Sequence, residues 1–231
     1  MKDLAEFFGH TFYRPGLGPD SVVVDLGASS GGFAHAVAEL TGCRCHCVEA
    51  APDNVLVIEQ TDRISRHHYA IGGIDGPVTV HVADEEFHWV GTEAIAGAGE
   101  AIEVPGVTLP TLLTELGLCD VDLLKVDIEG AEIAMFDAAP DDVLRRMRQI
   151  SIEFHDFIDP RQGPDVARII KRLEGLGFDA VVFTRRFHGD VLFLNRPALG
   201  IGKARLLLYR SLVKWTRGIG RMLARVAGER R

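Results

Sequence analysis

Four short segments carry residues whose types and spacing could do chemistry. Asp25 precedes the run Gly27-Ala28-Ser29-Ser30-Gly31-Gly32, and Glu49 lies 24 residues beyond Asp25. Asp127, Glu129 and Glu132 crowd into DIEGAE, and Glu153 stands two residues before His155 in EFHD. Glycines after a strand let the backbone turn sharply and approach a ligand closely. The spacing Gly27-x-x-x-Gly31 lacks the central glycine of a pyrophosphate-cradling G-x-G-x-x-G loop. It suits a ligand carrying its own ammonium, such as S-adenosylmethionine, for which Asp25 offers a carboxylate. A merely structural turn is the rival, and a dinucleotide loop fits less well. At Glu49 a carboxylate could accept both hydroxyls of a ribose. The plainer alternative is an acid capping the helix that opens at Ala50-Ala51-Pro52-Asp53.

The other two segments point to proton handling. Asp127 ends an apolar run, whereas Glu129 and Glu132 could simply cap the helix that follows. His155 is the candidate general base, with Asp127 orienting it or the acceptor. No metal site is assigned, although Asp127, Glu153 and His155 could hold a divalent ion that acidifies a hydroxyl. Cys43, Cys45 and Cys47 recur at period two around His46. One face of a straight strand wraps zinc poorly, so core packing is expected of them. His67-His68 is read as structural.

These residues need an α/β scaffold to position them. Ser21–Leu26 is a buried-strand run broken by the glycine cluster. Phe33–Leu40 follows as a helix and Cys43–Glu49 as a second strand, a β-turn-α-β unit. Residues 54–60 are expected to be helical, and His67–Ile71 to begin a third strand. Residues 76–90 alternate like exposed strands, and the glycine-rich GTEAIAGAGEA reads as a loop over the site. Helices are predicted at Thr111–Leu116, Ala131–Ala138 and 164–175, with buried strands at Val121–Val126 and Gln149–Phe154. Strands near 178–184 and 190–194 should form an antiparallel hairpin at one sheet edge. Residues 3–13 read as a short helix or arm.

The chain has 231 residues, a length that suits one α/β domain with appendages. Three units are expected: an N-terminal arm or helix over 1–20, the main domain over 21–198 and a basic helix over 199–231. No run is long and apolar enough to span a membrane and the N-terminus lacks a secretory pattern, so a cytoplasmic protein is expected. The net charge of −8 conceals nine Lys or Arg and one acid between Lys203 and Arg231. The remaining body is strongly acidic, which argues against nucleic acid as a partner.

Taken together, the segments resemble the FkbM-type methyltransferase family. VVVDLGASSGGF, VEAAPDN, YAIGGIDG, TLPTLLTELGLCDVDLLKVDIEGAE and SIEFH follow its motifs in order, from about Val22 to about Arg196. The LLKVDIEGAE segment is the most specific of them. The resemblance implies a Rossmann-like class I methyltransferase fold, a mostly parallel sheet with an antiparallel C-terminal hairpin. It implies S-adenosylmethionine as cofactor and transfer to a hydroxyl of a sugar, glycolipid or secondary metabolite. It also implies that Asp25, Gly27, Ala28, Gly31 and Glu49, with Ser29, Phe33 and Ala50 beside them, hold the cofactor, and that Asp127 and Glu129 lie near the reacting centre. Ser29-Ser30 departs from the usual Asn followed by an aliphatic, and Pro110 stands where Asp usually follows Thr-Leu. The competing class is a non-catalytic, cofactor-binding peripheral membrane or interaction protein.

The C-terminal segment Lys203–Val226 has helical periodicity. Lys203, Arg210, Lys214, Arg217, Arg221 and Arg225 fall along one line, with Leu208, Leu212, Trp215, Ile219, Met222, Leu223 and Val226 opposite. Two fates are open: peripheral docking on an anionic membrane at the inner face, or packing on protein, including a homo-oligomer.

Overall fold

The computed structural model describes residues 3–82, 90–91, 100–184 and 187–211. The chain forms β1 (Leu4–Phe7), β2 (His10–Tyr13), β3 (Val22–Leu26), β4 (Arg44–Glu49) and β5 (Ile64–His68). There follow β6 (Ala70–Ile71), β7 (Gly76–Val82), β8 (Val90–Gly91), β9 (Glu100–Val107), β10 (Leu123–Val126), β11 (Gln149–Ile152), β12 (Phe178–Val182) and β13 (Val191–Asn195). The central seven-stranded sheet has the order β12-β13-β11-β10-β3-β4-β5. β3, β4, β5, β10 and β11 run parallel, and β13 is antiparallel to both β11 and β12. This is the predicted Rossmann-like arrangement. Its strand order reverses between β3 and β10, and open α/β sheets bind ligands beyond the carboxyl ends of the strands at such a point.

The inner parallel strands β3 and β10 are mainly apolar and, like β11, buried on both faces, whereas β4 and the edge strand β5 carry polar residues. On one face Val24, Leu26, Leu124, Val126, Ile150 and Ile152 pack with α3 (Leu109–Glu115), α4 (Glu132–Ala138), α5 (Asp141–Leu144) and α6 (Gly163–Gly175). On the other, Val23 and Leu123 pack with Phe33, Ala34 and Val37 of α1 (Gly32–Thr41) and with Cys43, Cys45 and Cys47. The three cysteines are buried, as core packing predicts. α1 starts after Gly31 at φ 82° and stops at Gly42 at φ 74°, whose N–H closes onto Ala38. Between β4 and β5 lies the short α2 (Pro52–Val57).

Two sequence expectations are corrected. Residues 3–13 form no helix: β1 and β2 are an antiparallel hairpin closed by Phe8 (φ 51°) and Gly9 (φ 80°). Both turn residues take the left-handed region that tight hairpin loops require. So short a hairpin is marginal alone. It is held by Phe12, fully buried between Phe7 and Phe33 with ring centroids 5.9 and 6.0 Å away. Thr11 adds its N–H and hydroxyl to Asp190, at 3.2 and 2.6 Å. The predicted third strand is also split. β5 ends at His68, while Ala70–Ile71 pairs with β9 in a separate four-stranded sheet of order β6-β9-β7-β8. Much of the loop expected over the site, 92–99, lies outside the described residues, but Glu100–Val107 is a strand.

At the other terminus residues 203–211 are helical and packed on the body. Leu206 and Tyr209 are buried, the Arg210 guanidinium donates to the Ala180 carbonyl at 3.0 Å, and Leu208 is exposed. The predicted basic line and apolar face lie mostly beyond, outside the described residues. Among the described residues no helix is long and apolar enough to cross a membrane.

Candidate active site

A cavity of about 250 Å³ opens at the carboxyl ends of β3, β4 and β10. Gly27, Ser29, Glu49 and Ala50 line one part of it, and Asp127 and Glu129 another. These are six of the residues singled out by sequence. Asp25, Ala28, Gly31 and Phe33 are buried and are not among the residues that line the cavity.

Within β3, Asp25 sits on the strand face shared with Val23. Lys125 is its register partner on β10, and the Lys125 Nζ lies 3.1 Å from Asp25 Oδ1. The carboxylate expected to meet a ligand's ammonium therefore already faces a buried lysine. Lys125 also donates to the carbonyls of Gly27 at 2.6 Å and Leu26 at 3.3 Å, tying the glycine loop to β10. Gly27 serves the same junction. At φ 71°, a Cβ there would lie 1.7 Å from the Asp127 carbonyl oxygen, so the site needs glycine for strand contact before any ligand arrives.

Glu49 is buried with both oxygens held. Oε2 accepts the Ser29 N–H and Oε1 the Ala51 N–H, each at 2.8 Å. Burial pushes its carboxyl above the usual range, against the pull of those two donors. Each oxygen keeps a further lone pair, so a pair of vicinal hydroxyls fits this carboxylate. Ser29 adopts φ 48°, a conformation in which Asn is enriched, which accounts for the residue usual at this position of the motif. Pro110 stands in the first turn of α3, where a missing N–H costs nothing.

Across the cavity, the turn after β10 carries Glu129 at φ 50° and Gly130 at φ 96°. Glu132, at the start of α4, is buried, and its Oε1 accepts from Ile128 N–H (3.3 Å), Gly130 N–H (3.1 Å) and His155 Nδ1 (2.8 Å). The opposite nitrogen of His155, Nε2, lies 3.1 Å from Glu129 Oε2 and 3.8 Å from Asp127 Oδ1. Asp127 Oδ2 in turn accepts from His10 Nε2 at 3.3 Å and lies 3.6 Å from Lys125 Nζ. Burial works against its charge, but His10 and Lys125 hold the Asp127 carboxyl down at about 2.

The neighbours of His155 bear on the general-base role expected of it. Burial favours the neutral ring, but Glu129 and Glu132 outweigh it and push His155 up to about 11, favouring the protonated imidazole in this arrangement. The metal alternative is also regrouped. Instead of Asp127, Glu153 and His155, one cluster is Asp127, Glu129 and His155, and a second is His10, Asp127 and Glu153.

Sequence reasoning missed Lys125, His10 and Tyr69, which lines the cavity. A lysine inside the apolar strand LLKV was a usable signal, since a buried ammonium must find a carboxylate. Nothing local marks His10, whose partner is 117 residues away.

Comparison with known proteins adds an identity to this geometry. The sequence profile described as "Methyltransferase FkbM domain" matches residues 25–180. The 31-O-demethyl-FK506 methyltransferase FkbM of Streptomyces tacrolimicus is 34% identical over 83 residues, 36% of this chain and 30% of that protein. The AMB antimetabolite synthetase AmbE of Pseudomonas aeruginosa is 33% identical over 101 residues, 44% of this chain and 4% of that protein. The chain thus spans less than a third of the length of either relative. Among solved structures, the Methanococcus jannaschii fibrillarin pre-rRNA processing protein is similar with a TM-score of 0.47 and 14% identity, covering 83% of this chain and 70% of that one.

Proposed function

The chain belongs to the FkbM methyltransferase family, and we propose that it uses S-adenosylmethionine to methylate a hydroxyl oxygen of a small-molecule acceptor. The acceptor class we infer is a sugar, a glycolipid or a secondary metabolite. One observation carries the reading: a single cavity joins a two-oxygen carboxylate, Glu49, to a second acidic wall, Asp127 and Glu129. The cofactor, when bound, supplies a methyl group already activated on a sulfonium. What the chain must supply is alignment and exclusion of water.

Glu49 accepts the ribose hydroxyls, held in place by the Ser29 and Ala51 amides. Ala50 and Ser29 close around the nucleoside, and the apolar side chains Ile71 and Val80 shelter it from water. Asp127 and Glu129 accept the hydrogen bond of the acceptor hydroxyl and so aim its lone pair. His155 and Glu132 are positioning residues that fix Glu129 and the turn after β10.

Calorimetry with S-adenosylhomocysteine tests the assignment. Glu49→Gln should weaken binding by about 1.5–3 kcal/mol, about 10- to 150-fold, with the fold intact by circular dichroism. Equal affinity in the folded variant overturns the ribose role. Mass spectrometry of candidate acceptors should show a gain of one methyl group on oxygen, and methylation of nitrogen or carbon instead would overturn the choice of hydroxyl.

A further inference from the structure

We propose that Asp127, Glu129 and His155 bind one divalent transition-metal ion at the cavity wall. One donor atom from each residue, Oδ1, Oε2 and Nε2 respectively, is turned toward the others, and the group lies within 4.8 Å. Nε2 stands 3.1 Å from the glutamate oxygen and 3.8 Å from the aspartate oxygen. Donors about 2.1 Å from a common ion sit about 3.0 Å apart at octahedral angles and about 3.4 Å apart at tetrahedral ones. The first spacing lies close to the octahedral value and the second exceeds the tetrahedral one, so the aspartate moves inward and the ion takes the place of the proton on Nε2.

The surroundings have the features of a ligand set as well as those of a salt-bridge cluster. A histidine that ligates a metal characteristically gives its other N–H to a carboxylate, which fixes ring and tautomer. Here Nδ1 is held at 2.8 Å by Glu132, a carboxylate whose own position is set by two backbone amides. Asp127 is likewise braced from behind. His10, wholly buried and with its Nδ1 unpartnered among the described residues, engages Oδ2 and leaves Oδ1 toward the cluster. Asp127 and Glu129 also line the cavity, leaving the remaining coordination positions open to an incoming ligand. Three protein donors with an open side is the pattern of catalytic rather than structural metal sites.

One imidazole nitrogen with two carboxylates selects manganese, iron or zinc over magnesium and calcium, which prefer all-oxygen sites. The ion's task rests on the O-methylation reading. Coordinating the acceptor hydroxyl lowers its pKa, so its proton passes to solvent while oxygen gains the methyl carbon and sulfur keeps the bonding pair.

The test is Mn²⁺ binding to the full chain, followed by electron paramagnetic resonance and by thermal shift. One Mn²⁺ per chain is expected, with a raised melting temperature. Glu129→Gln and His155→Asn should each weaken binding by at least about 10-fold, while Glu153→Gln leaves it within about 3-fold. Because His155 is buried, the half-buried Glu129 provides the variant that keeps its fold. Absence of stoichiometric Mn²⁺, or loss with Glu153→Gln but not with Glu129→Gln, overturns the site. Adenosylhomocysteine affinity in chelator reports the cofactor reading separately, so either result can fail alone.

Discussion

His155 and His46 lie on opposite halves of one sheet, and both rings are largely withdrawn from water. Past β11, His155 stands among three carboxylates. On β4, His46 meets another imidazole: its Nδ1 is 3.2 Å from His67 Nε2, the rings stack at 5.4 Å, and the Ser65 hydroxyl bridges the two nitrogens at 3.0 and 3.2 Å. Burial disfavours charge on both rings. At His46 nothing opposes it, and together with His67 and Arg44 it lowers the ring to about 4. At His155 the glutamates reverse the sign. Desolvation acting in the same direction thus leaves a neutral spacer in one half and a charged or metal-ready group in the other, according to which side chains the topology brings alongside.

The contrast can be broken most forcefully at Glu132. Glu132→Ala strips His155 of its innermost counter-charge and should cost about 3–5 kcal/mol, read from urea denaturation. Glu132→Gln, which can still accept the Nδ1–H, should lose less. Equal stability of wild type and Glu132→Ala would mean that the buried pair contributes nothing net. A second change sharpens the contrast from the other side. Ser65→Asp sets a carboxylate against His46 and should raise its titration midpoint by about 1–3 pH units in an NMR titration. If His46 does not move, neighbouring charge is not what separates the two regions.

The smallest effect is on the pH dependence of stability. His46 has a folded pKa of about 4, below the ordinary histidine value of 6.5. Above 6.5 neither folded nor unfolded chain is protonated there, so its contribution is complete. As pH falls from 6.5 toward 4 the unfolded chain takes up the proton first and that contribution is lost. His46→Asn should therefore flatten the decline in urea midpoint across this window. An identical slope in the variant would show that the ring is as free to charge in the fold as out of it.

Much of this arrangement was legible in the sequence, for a physical reason. β3 and β10, buried on both faces, read as nearly continuous apolar runs, and β4, β11 and the helices between were placed around them in order. Glu49 and Asp127 were legible because each stands at the carboxyl end of a strand, at the edge where ligands bind. Asp25, Ala28 and Gly31 were assigned to the cofactor through the resemblance, and Asp25 also as a partner for an ammonium. A motif does not say which face a side chain enters, and Asp25, Ala28 and Phe33 are buried. The hairpin escaped because Phe8-Gly9 lacks the Asn-Gly or Asp-Gly signature of a tight turn. His10 and Lys125 belong to the site only through contacts across the sheet, which periodicity cannot reveal.

The hairpin also sets the order in which the site can come into being during synthesis. His10 is translated 117 residues before Asp127, and Thr11 precedes its anchor Asp190 by 179. Until residue 190 has left the ribosome, Thr11 has no Asp190 to fasten to, although Phe12 already has Phe7 and Phe33 to pack on. Assembly of the acidic wall is thereby deferred until almost the whole domain has been made. Contacts of such long range slow folding and leave apolar surface exposed in the interval. A nascent chain halted before Gln149 would lack β11, His155 and a seated hairpin together, leaving Asp127 and Glu129 without three of the elements that hold them in place.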